Sequence, residues 1–499
     1  MDGAARPHNS GSVLATRQQR SRAKWLVRQV PRANLRVVRP RKRELPRLLG
    51  MRTATTMHHQ PPPGDSGITP FATTNFRGER RTFGIRDADR FFHTSIIGKT
   101  GSGKSSLLAT LMRSDLERGH GFALLDPHGD LAELVLDLVP PHRIADVVYL
   151  NPADLDFPVP FNVLEPRTGQ DHLIASGLVS IFQRFWSQFW GPRTEYLVKN
   201  AVLALLETPG STLLDLSRLL IDDVFRAQVL GQVQNPAVRQ FWGHEYAAYS
   251  PGFRQEAIAP IQNKAGEFIL TPVLRNIVGQ RRNLFELRSL MDEGRVLIVN
   301  LAKGALGEDN SALLGSMILT RLLLAALSRQ DTPESERRPF FLYVDEFPNF
   351  ATQGTVSALL SESRKFKIGL TLVQQYIAQA SDDLRGAIFG NVGTLITFRC
   401  GAEDAVYLAR EFRPIFTSDD LVNLPRYDVA LKLNVHGVST TPFSASTLPP
   451  QPVITSHRSQ IIQRSRERYA RPRVVVERST VQHFVMPRGA PSLGPALRP

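Results

Sequence analysis

The chain is expected to be an α/β protein built on a mainly parallel sheet, with an all-α domain inserted into it and basic, flexible ends. Three observations lead there. From about residue 85, short apolar runs alternate with helical patterns, as in a parallel α/β sheet. Most of those runs are continuous in Val, Ile, Leu or Phe rather than alternating, as strands buried on both faces should be. Between about 165 and 291 the strand pattern stops, and it resumes afterwards.

The N-terminal segment, residues 1–85, is expected to be a disordered basic extension. Of the chain's formal charge of +15, residues 1–50 hold +11, from 13 Lys/Arg against Asp2 and Glu44. Residues 51–90 add +2 and residues 451–499 add +7, so 91–450 sits at −5. Basic, acid-poor ends suit nucleic acid or an anionic membrane surface, or are simply solvated. The N-terminus has no apolar stretch like that of a signal peptide. The most apolar helix, Ala312–Leu327, is interrupted by Arg321 and is shorter than the roughly 20 residues a membrane span needs. One cysteine, Cys400, excludes a disulfide framework and a multi-thiolate zinc site, and suits a reducing cytosol.

Residues 86–164 supply the first strands: His93–Ile97, Phe122–Leu125 and Val147–Leu150. The first of them runs into GKTGSGKS, a full match to GxxxxGK[S/T]. Its glycines let backbone N–H groups wrap a phosphate, and the following helix, Ser106 to Leu116, points its N-terminus at the same place. Gly98, Lys99, Thr100, Gly101, Ser102, Gly103, Lys104, Ser105 and Ser106 are therefore expected to hold ATP. Lys104 should reach the β/γ-phosphates, and the Ser105 hydroxyl should ligate Mg²⁺. Asp126, ending the second strand in LLDPHGD, has two readings of equal weight, a place in the magnesium shell or a turn cap; His128 beside it reads as structural.

Residues 165–291 read as the all-α insertion. Leu197, Val198, Ala201, Val202, Leu205 and Leu206 have helical spacing, and Ser211-Thr212 could cap another helix before Leu213-Leu214.

Residues 292–450 return to strands: Val296–Leu301, Phe340–Val344, Leu370–Val373 and Thr394–Phe398. A hairpin is expected from Asp428–Asn434 and Ser439–Ser446, turning at His436-Gly437. The strand Phe340–Val344 ends in Asp345-Glu346. Asp345 is the expected Mg²⁺ partner, and Glu346 is placed to polarise an attacking water as a general base. A switch protein could manage without that second acid, so Glu346 favours hydrolysis. Past 450 no packable pattern is evident, and residues 451–499 read as a basic tail.

Lys104 and Asp345 lie 241 positions apart, more than a simple RecA-like P-loop core needs, and the helical insertion fills the gap. Here the chain resembles the FtsK–HerA superfamily of motor ATPases, most closely the coupling ATPases of type IV secretion and conjugative DNA transfer. The resemblance covers roughly 90–450. Its residues are IIGKTGSGKSS, LLDPHGDL, WGPRTEYLVKNAVLALLE, LVNLPRYDVALKL and VDEFPNFATQGTVSALLSESRKFKIGLTLVQQYIAQ…FGNVGTLITFRCGAEDA. It implies an arginine finger at Arg364, reaching a neighbouring subunit's nucleotide, with Arg399 the next candidate. It implies a γ-phosphate sensor at Gln375, with Gln374 an adjacent competitor.

It also implies an ATP-driven DNA translocase working as a homo-oligomer, a hexameric ring, with a relaxase and secretion-channel proteins as partners. Membrane coupling proteins carry transmembrane helices ahead of the P-loop, where this chain has a basic extension, so a cytoplasmic place is expected, with peripheral contact at the inner face of the membrane left open as an alternative. Two other readings stand beside this one. One is a soluble HerA-like helicase or translocase acting with a nuclease on DNA ends; the other is an ATP-gated adaptor recruiting protein cargo. A metabolic kinase fits least, because no acceptor-substrate site is evident.

Overall fold

The structure, a computed structural model, describes residues 67–485 apart from 76–79 and 167–168. The basic segment 1–66 and the last residues, 486–499, lie outside the described residues, and with them most of the expected extension and the end of the expected tail.

Among the described residues thirteen strands are formed: β1 Ile68–Thr74, β2 Thr82–Arg86, β3 Thr94–Ile97, β4 Gly121–Asp126, β5 Val147–Leu150, β6 Val296–Asn300, β7 Phe340–Val344, β8 Ile368–Gln374, β9 Thr394–Thr397, β10 Asp428–Lys432, β11 Asn434–Val435, β12 Val438–Ser439 and β13 Phe443–Thr447. Eleven of them make one sheet in the order β2-β1-β13-β10-β9-β3-β8-β7-β4-β6-β5. From β9 to β5 every pairing is parallel, and from β9 back to β2 every pairing is antiparallel. Every residue of β3 to β9 is buried, which is why those runs lack alternation. The tip of the β10–β13 hairpin is the small pair β11–β12. Its turn residues His436 and Gly437 both have positive φ, +54° and +80°, as a tight hairpin turn requires.

The expected boundary at residue 85 is corrected by β1 and β2, which form a hairpin joined to β13 within the main sheet. Pro70 hid it, since proline is poor inside a ladder. The structure accommodates Pro70 at a register shift between Pro70 and Ala72, while Phe71 and Ala72 are buried. The expected tail is corrected as far as residue 485: Arg458–Tyr469 and Arg473–Val485 are helices. The first buries only Ile461, Ser465 and Tyr469, a stripe too sparse to read in a sequence of mostly polar residues. It lies along the outer edge of β5, where the Tyr149 N–H donates to Ser465 Oγ at 2.9 Å. Arg458 secures its start by donating from Nε to Asp137 Oδ1 at 2.9 Å.

Between β5 and β6 the chain is helical from Asp171 to Glu293 with short breaks. Helix Pro192–Leu206 buries all six apolar positions that marked it. The capping expectation at Ser211-Thr212 takes another form: the Thr212 N–H donates to the Asp215 carboxylate at 2.8 Å, just ahead of helix Asp215–Ile221. These helices share one apolar core with the sheet, since Leu178, Phe182, Val198 and Leu216 pack in the same cluster as Val148, Leu297, Val344 and Leu370. The opposite face of the sheet packs on the helix that follows β3, through Leu107, Leu108, Leu111 and Met112. Among the described residues one helix, Glu308–Asp331, is long and apolar enough to cross a membrane, and its apolar stretch is mostly buried in the fold.

A buried polar knot ties these layers together. Arg90 donates to both Asp115 oxygens at 2.6 and 2.9 Å and to Tyr343 Oη at 2.6 Å, while Tyr343 donates to Asp115 at 2.5 Å. Burial works against the Arg90 charge, yet Asp115, Tyr343 and Asp87 together outweigh it and the guanidinium pKa is raised.

Candidate functional site

The strand β3 delivers the chain into the phosphate loop at its C-terminal end, and the helix Lys104–Glu117 leaves it. The helix begins at Lys104, two residues before the start expected from sequence. The loop conformation depends on glycine at two places. Gly103 has φ +126°, and a Cβ there would lie 2.8 Å from Tyr427 Cδ1; a Cβ on Gly98 would lie 2.6 Å from Phe398 Cβ. Lys99, Thr100, Gly101 and Ser105 are exposed, whereas Gly98, Ser102 and Lys104 are buried. The Lys104 ammonium donates to the carbonyls of Gly98 at 2.6 Å and Lys99 at 3.2 Å. Burial lowers its pKa, and the nearby charges of Glu346 and Asp345 oppose that fall.

Those two acids come from β7, two strands away across β8 in the sheet order. Asp345 follows the last residue of β7. Glu346 takes a left-handed conformation, φ +47°, which turns the chain into the next loop. A glutamate with positive φ is strained, and such strain concentrates at functional sites. Both acids are buried, and the Asp345 pKa is pushed up to about 7 by burial, then by Asp126 and Glu346, with Lys104 pulling the other way. A carboxylate so placed is short of positive charge. The loop fits a triphosphate, with its glycine-only approach and inward lysine. The hydroxyl of Ser105 and the carboxylate of Asp345 are oxygen donors of the kind Mg²⁺ takes while it keeps most of its waters.

Asp126 is settled by its hydrogen bonds: Oδ1 accepts the His128 N–H at 2.8 Å and Oδ2 the Ala132 N–H at 2.9 Å. It is the turn cap, and it touches the site through its charge on Asp345. His128 is exposed on that turn, which removes it from the core.

Gln375 stands at the loop, where its Oε1 accepts from Thr100 Oγ1 at 3.2 Å. Gln374 points to the other face of β8, fully buried, and neither atom of its amide has a partner among the described residues. Sequence reasoning missed Gln379. Its Nε2 donates to Glu346 Oε2 at 3.1 Å, and its Oε1 accepts the N–H groups of Gln375 and Tyr376 at 3.0 and 3.3 Å. The only signal was the recurrence of Gln four positions after Gln375. Arg184, on the inserted helix Asp171–Phe185, donates to the carbonyls of Pro348 and Ala351 at 2.8 and 2.6 Å, gripping the loop just after Glu346.

Arg364 is not brought to this cluster. It lies in a short 3-10 turn, Ser363–Phe366, directly after the helix Gln353–Glu362. It is exposed, and its guanidinium stacks 3.6 Å from the ring centroid of Phe92. Phe92 precedes β3 and the phosphate loop follows it, so roughly 13 Å of strand separates the two. Arg399 is also exposed but sits at the loop end, its carbonyl accepting the Lys99 N–H at 2.9 Å.

Residues 85–413 match a family model described as the type IV secretion-system coupling protein DNA-binding domain. Among solved structures, the bacterial conjugative coupling protein TrwBdeltaN70, in its unbound monoclinic form, superposes with a TM-score of 0.55 at 16% identity, over 77% of this chain and 92% of that one. Plasmid coupling protein TrwB in complex with the non-hydrolysable GTP analogue GDPNP gives 0.55 at 17% identity, over 79% and 99%. VirB4 of Thermoanaerobacter pseudethanolicus gives 0.53 at 13% identity, over 78% and 97%. At such identities these likenesses establish a shared fold. No curated protein matches the sequence.

Proposed function

Because the chain belongs to the family of type IV secretion-system coupling protein DNA-binding domains, we propose that it is an ATP-hydrolysing DNA translocase that works as a hexameric ring. Residues 68–164 and 292–450 form the two parts of its motor core, the first of them including β1 and β2, and 165–291 the insertion between them. The observation that carries this reading is the meeting of Lys104 with Asp345 and Glu346, from strands far apart in sequence, at one end of the sheet. Solved relatives are described in complex with GDPNP and with ADP and Mg²⁺, which supports nucleotide and magnesium as the ligands here.

Bound Mg²⁺–ATP supplies the phosphoanhydride whose cleavage releases energy. Lys104 exchanges its loop carbonyls for phosphate oxygens, and Ser105 and Asp345 hold the cation. Glu346, oriented by Gln379, accepts a proton from the attacking water at a carboxylate oxygen. Gln375 reports on the terminal phosphate. Arg364, on the far end of β3 from its own loop, serves the site of the next subunit, and that division of labour is why a ring is needed. The expected partners are DNA, a relaxase and channel proteins.

The test is phosphate release by the full chain with and without DNA, beside Lys104→Ala and Glu346→Gln. Both variants should be inactive, with Glu346→Gln still binding ATP. Wild-type turnover by Glu346→Gln would remove the base assignment, and turnover indifferent to DNA would favour the adaptor reading.

A further inference from the structure

We infer that Tyr427 and Arg426 form the platform that holds the base and ribose of the nucleotide. The inference rests on the nucleotide reading above and identifies the part of that ligand the phosphate loop cannot hold. The two residues belong to LVNLPRYDVALKL, a family-like stretch to which the proposed chemistry gives no role.

Three observations converge on Tyr427. Its φ is +70°, a conformation that a bulky aromatic residue adopts only under constraint. The constraint is visible on both sides. The Tyr427 N–H donates to the Ser102 carbonyl of the phosphate loop at 2.9 Å, and the Tyr427 carbonyl accepts from the Thr447 N–H at 2.9 Å and from Thr447 Oγ1 at 3.1 Å. The backbone is thus clamped between the loop and β13, and the clamp aims the side chain back at the loop. A Cβ on Gly103 would lie 2.8 Å from the ring's Cδ1 and 3.4 Å from its Cε1. Gly103 immediately precedes Lys104, so the ring edge borders the place where phosphates are gripped.

The ring is only half-buried, although the neighbouring Phe398 that packs on the same glycine is wholly buried. Packing alone would have been served by the buried ring. Arg426 is exposed, and its guanidinium lies 4.7 Å from the Tyr427 centroid, which extends the platform with a second planar, cationic group. An aromatic face beside a phosphate cradle suits a nucleobase, because every base offers a π-face. The same argument predicts little discrimination between adenine and guanine.

The test compares the binding of Mg²⁺–ATP, Mg²⁺–GTP and Mg²⁺–tripolyphosphate to the full chain by calorimetry. Tripolyphosphate has the phosphates without base or ribose. Tyr427→Leu keeps apolar packing on Gly103 but loses the planar face. It should weaken ATP and GTP alike by about ten-fold or more, the scale of one base–aromatic stack, and leave tripolyphosphate unchanged. Tyr427→Phe should restore both nucleotides. An equal loss for all three ligands would mean that Tyr427 only props the loop, and no loss for ATP would mean that the base sits elsewhere; either overturns the inference. A wild-type protein that binds neither ATP nor tripolyphosphate would overturn the nucleotide reading itself, and this inference with it.

Discussion

Replacing Asp345 with asparagine is expected to stop hydrolysis and at the same time stabilise the metal-free protein. Asp345 is 6% exposed, and its pKa is pushed from 3.8 to about 7 by burial and by the charges of Asp126 and Glu346. A carboxyl whose folded pKa lies above its unfolded one holds its proton more tightly when folded. Its ionisation therefore costs stability as pH rises. The cost is absent below about pH 4, grows through the interval and is complete above about pH 7. At about 1.4 kcal/mol per pKa unit, the full penalty is about 4 kcal/mol. Asparagine has nearly the same shape and carries no charge, so the variant escapes the penalty at every pH. The assay is urea unfolding of both proteins in chelator, at about pH 8 and about pH 5. The asparagine variant should be more stable by several kcal/mol at the higher pH, and by only about 1–2 kcal/mol at the lower. Titrating groups that do not interact with Asp345 are common to the two proteins and cancel in the comparison. A stability gap that is absent at pH 8, or that widens on acidification, would refute the reasoning. With Mg²⁺ and ATP present the wild type should recover much of the gap, because the ligand binds the folded state.

Gln379→Leu should leave ATP affinity intact while lowering kcat by about ten-fold or more, since a hydrogen bond to a charged group is worth about 1.5–3 kcal/mol; an unchanged kcat in steady-state assays would show that Glu346 does not need it. Removing residues 1–66 should preserve DNA-independent ATPase and flatten the salt dependence of DNA binding, by about 0.9 in log–log slope for each DNA phosphate no longer neutralised. Removing residues 1–85 should instead lower the melting temperature, because it takes away β1 and β2 with the buried Phe71 and Ala72; equal melting temperatures for the two truncations would contradict that. Arg364→Ala and Glu346→Gln proteins, each inactive alone, should regain weak phosphate release when mixed with DNA and allowed to exchange subunits. Normal turnover by Arg364→Ala alone would shift the finger to another residue.

Much of the site was legible because its chemistry is written in contiguous runs. The phosphate loop and the Asp345-Glu346 pair each need a strand immediately before them, and apolar runs announced β3 and β7. The limits of β5 and β7 match the apolar runs without change. What stayed hidden depends on distant contacts. The hydrogen bond from Gln379 to Glu346 joins residues 33 positions apart through the packing of two loops. The equal readings of Asp126 were decided by two backbone N–H groups, which no spacing reveals. The helix Arg458–Tyr469 is held by Arg458 and Ser465 as well as by the burial of Ile461 and Tyr469, so its stripe was too weak to read. Strand β1 was masked by Pro70, which only a register shift makes tolerable.

The shared core of sheet and insertion has a practical consequence for hybrid proteins. Strands β5 and β6 are parallel neighbours, so the chain leaves one end of the sheet and re-enters at the other, and the intervening helices cross the whole face. Val148, Leu297 and Val299 belong to the same apolar core as those helices. Transplanting the helical segment from a relative would therefore graft half of an interior onto a foreign half. Native packing density leaves little room for mismatched volumes. A workable chimera would have to carry the facing side chains of β5, β6 and β7 with the graft, and its junctions belong beyond those strands and not at the edges of the helical stretch.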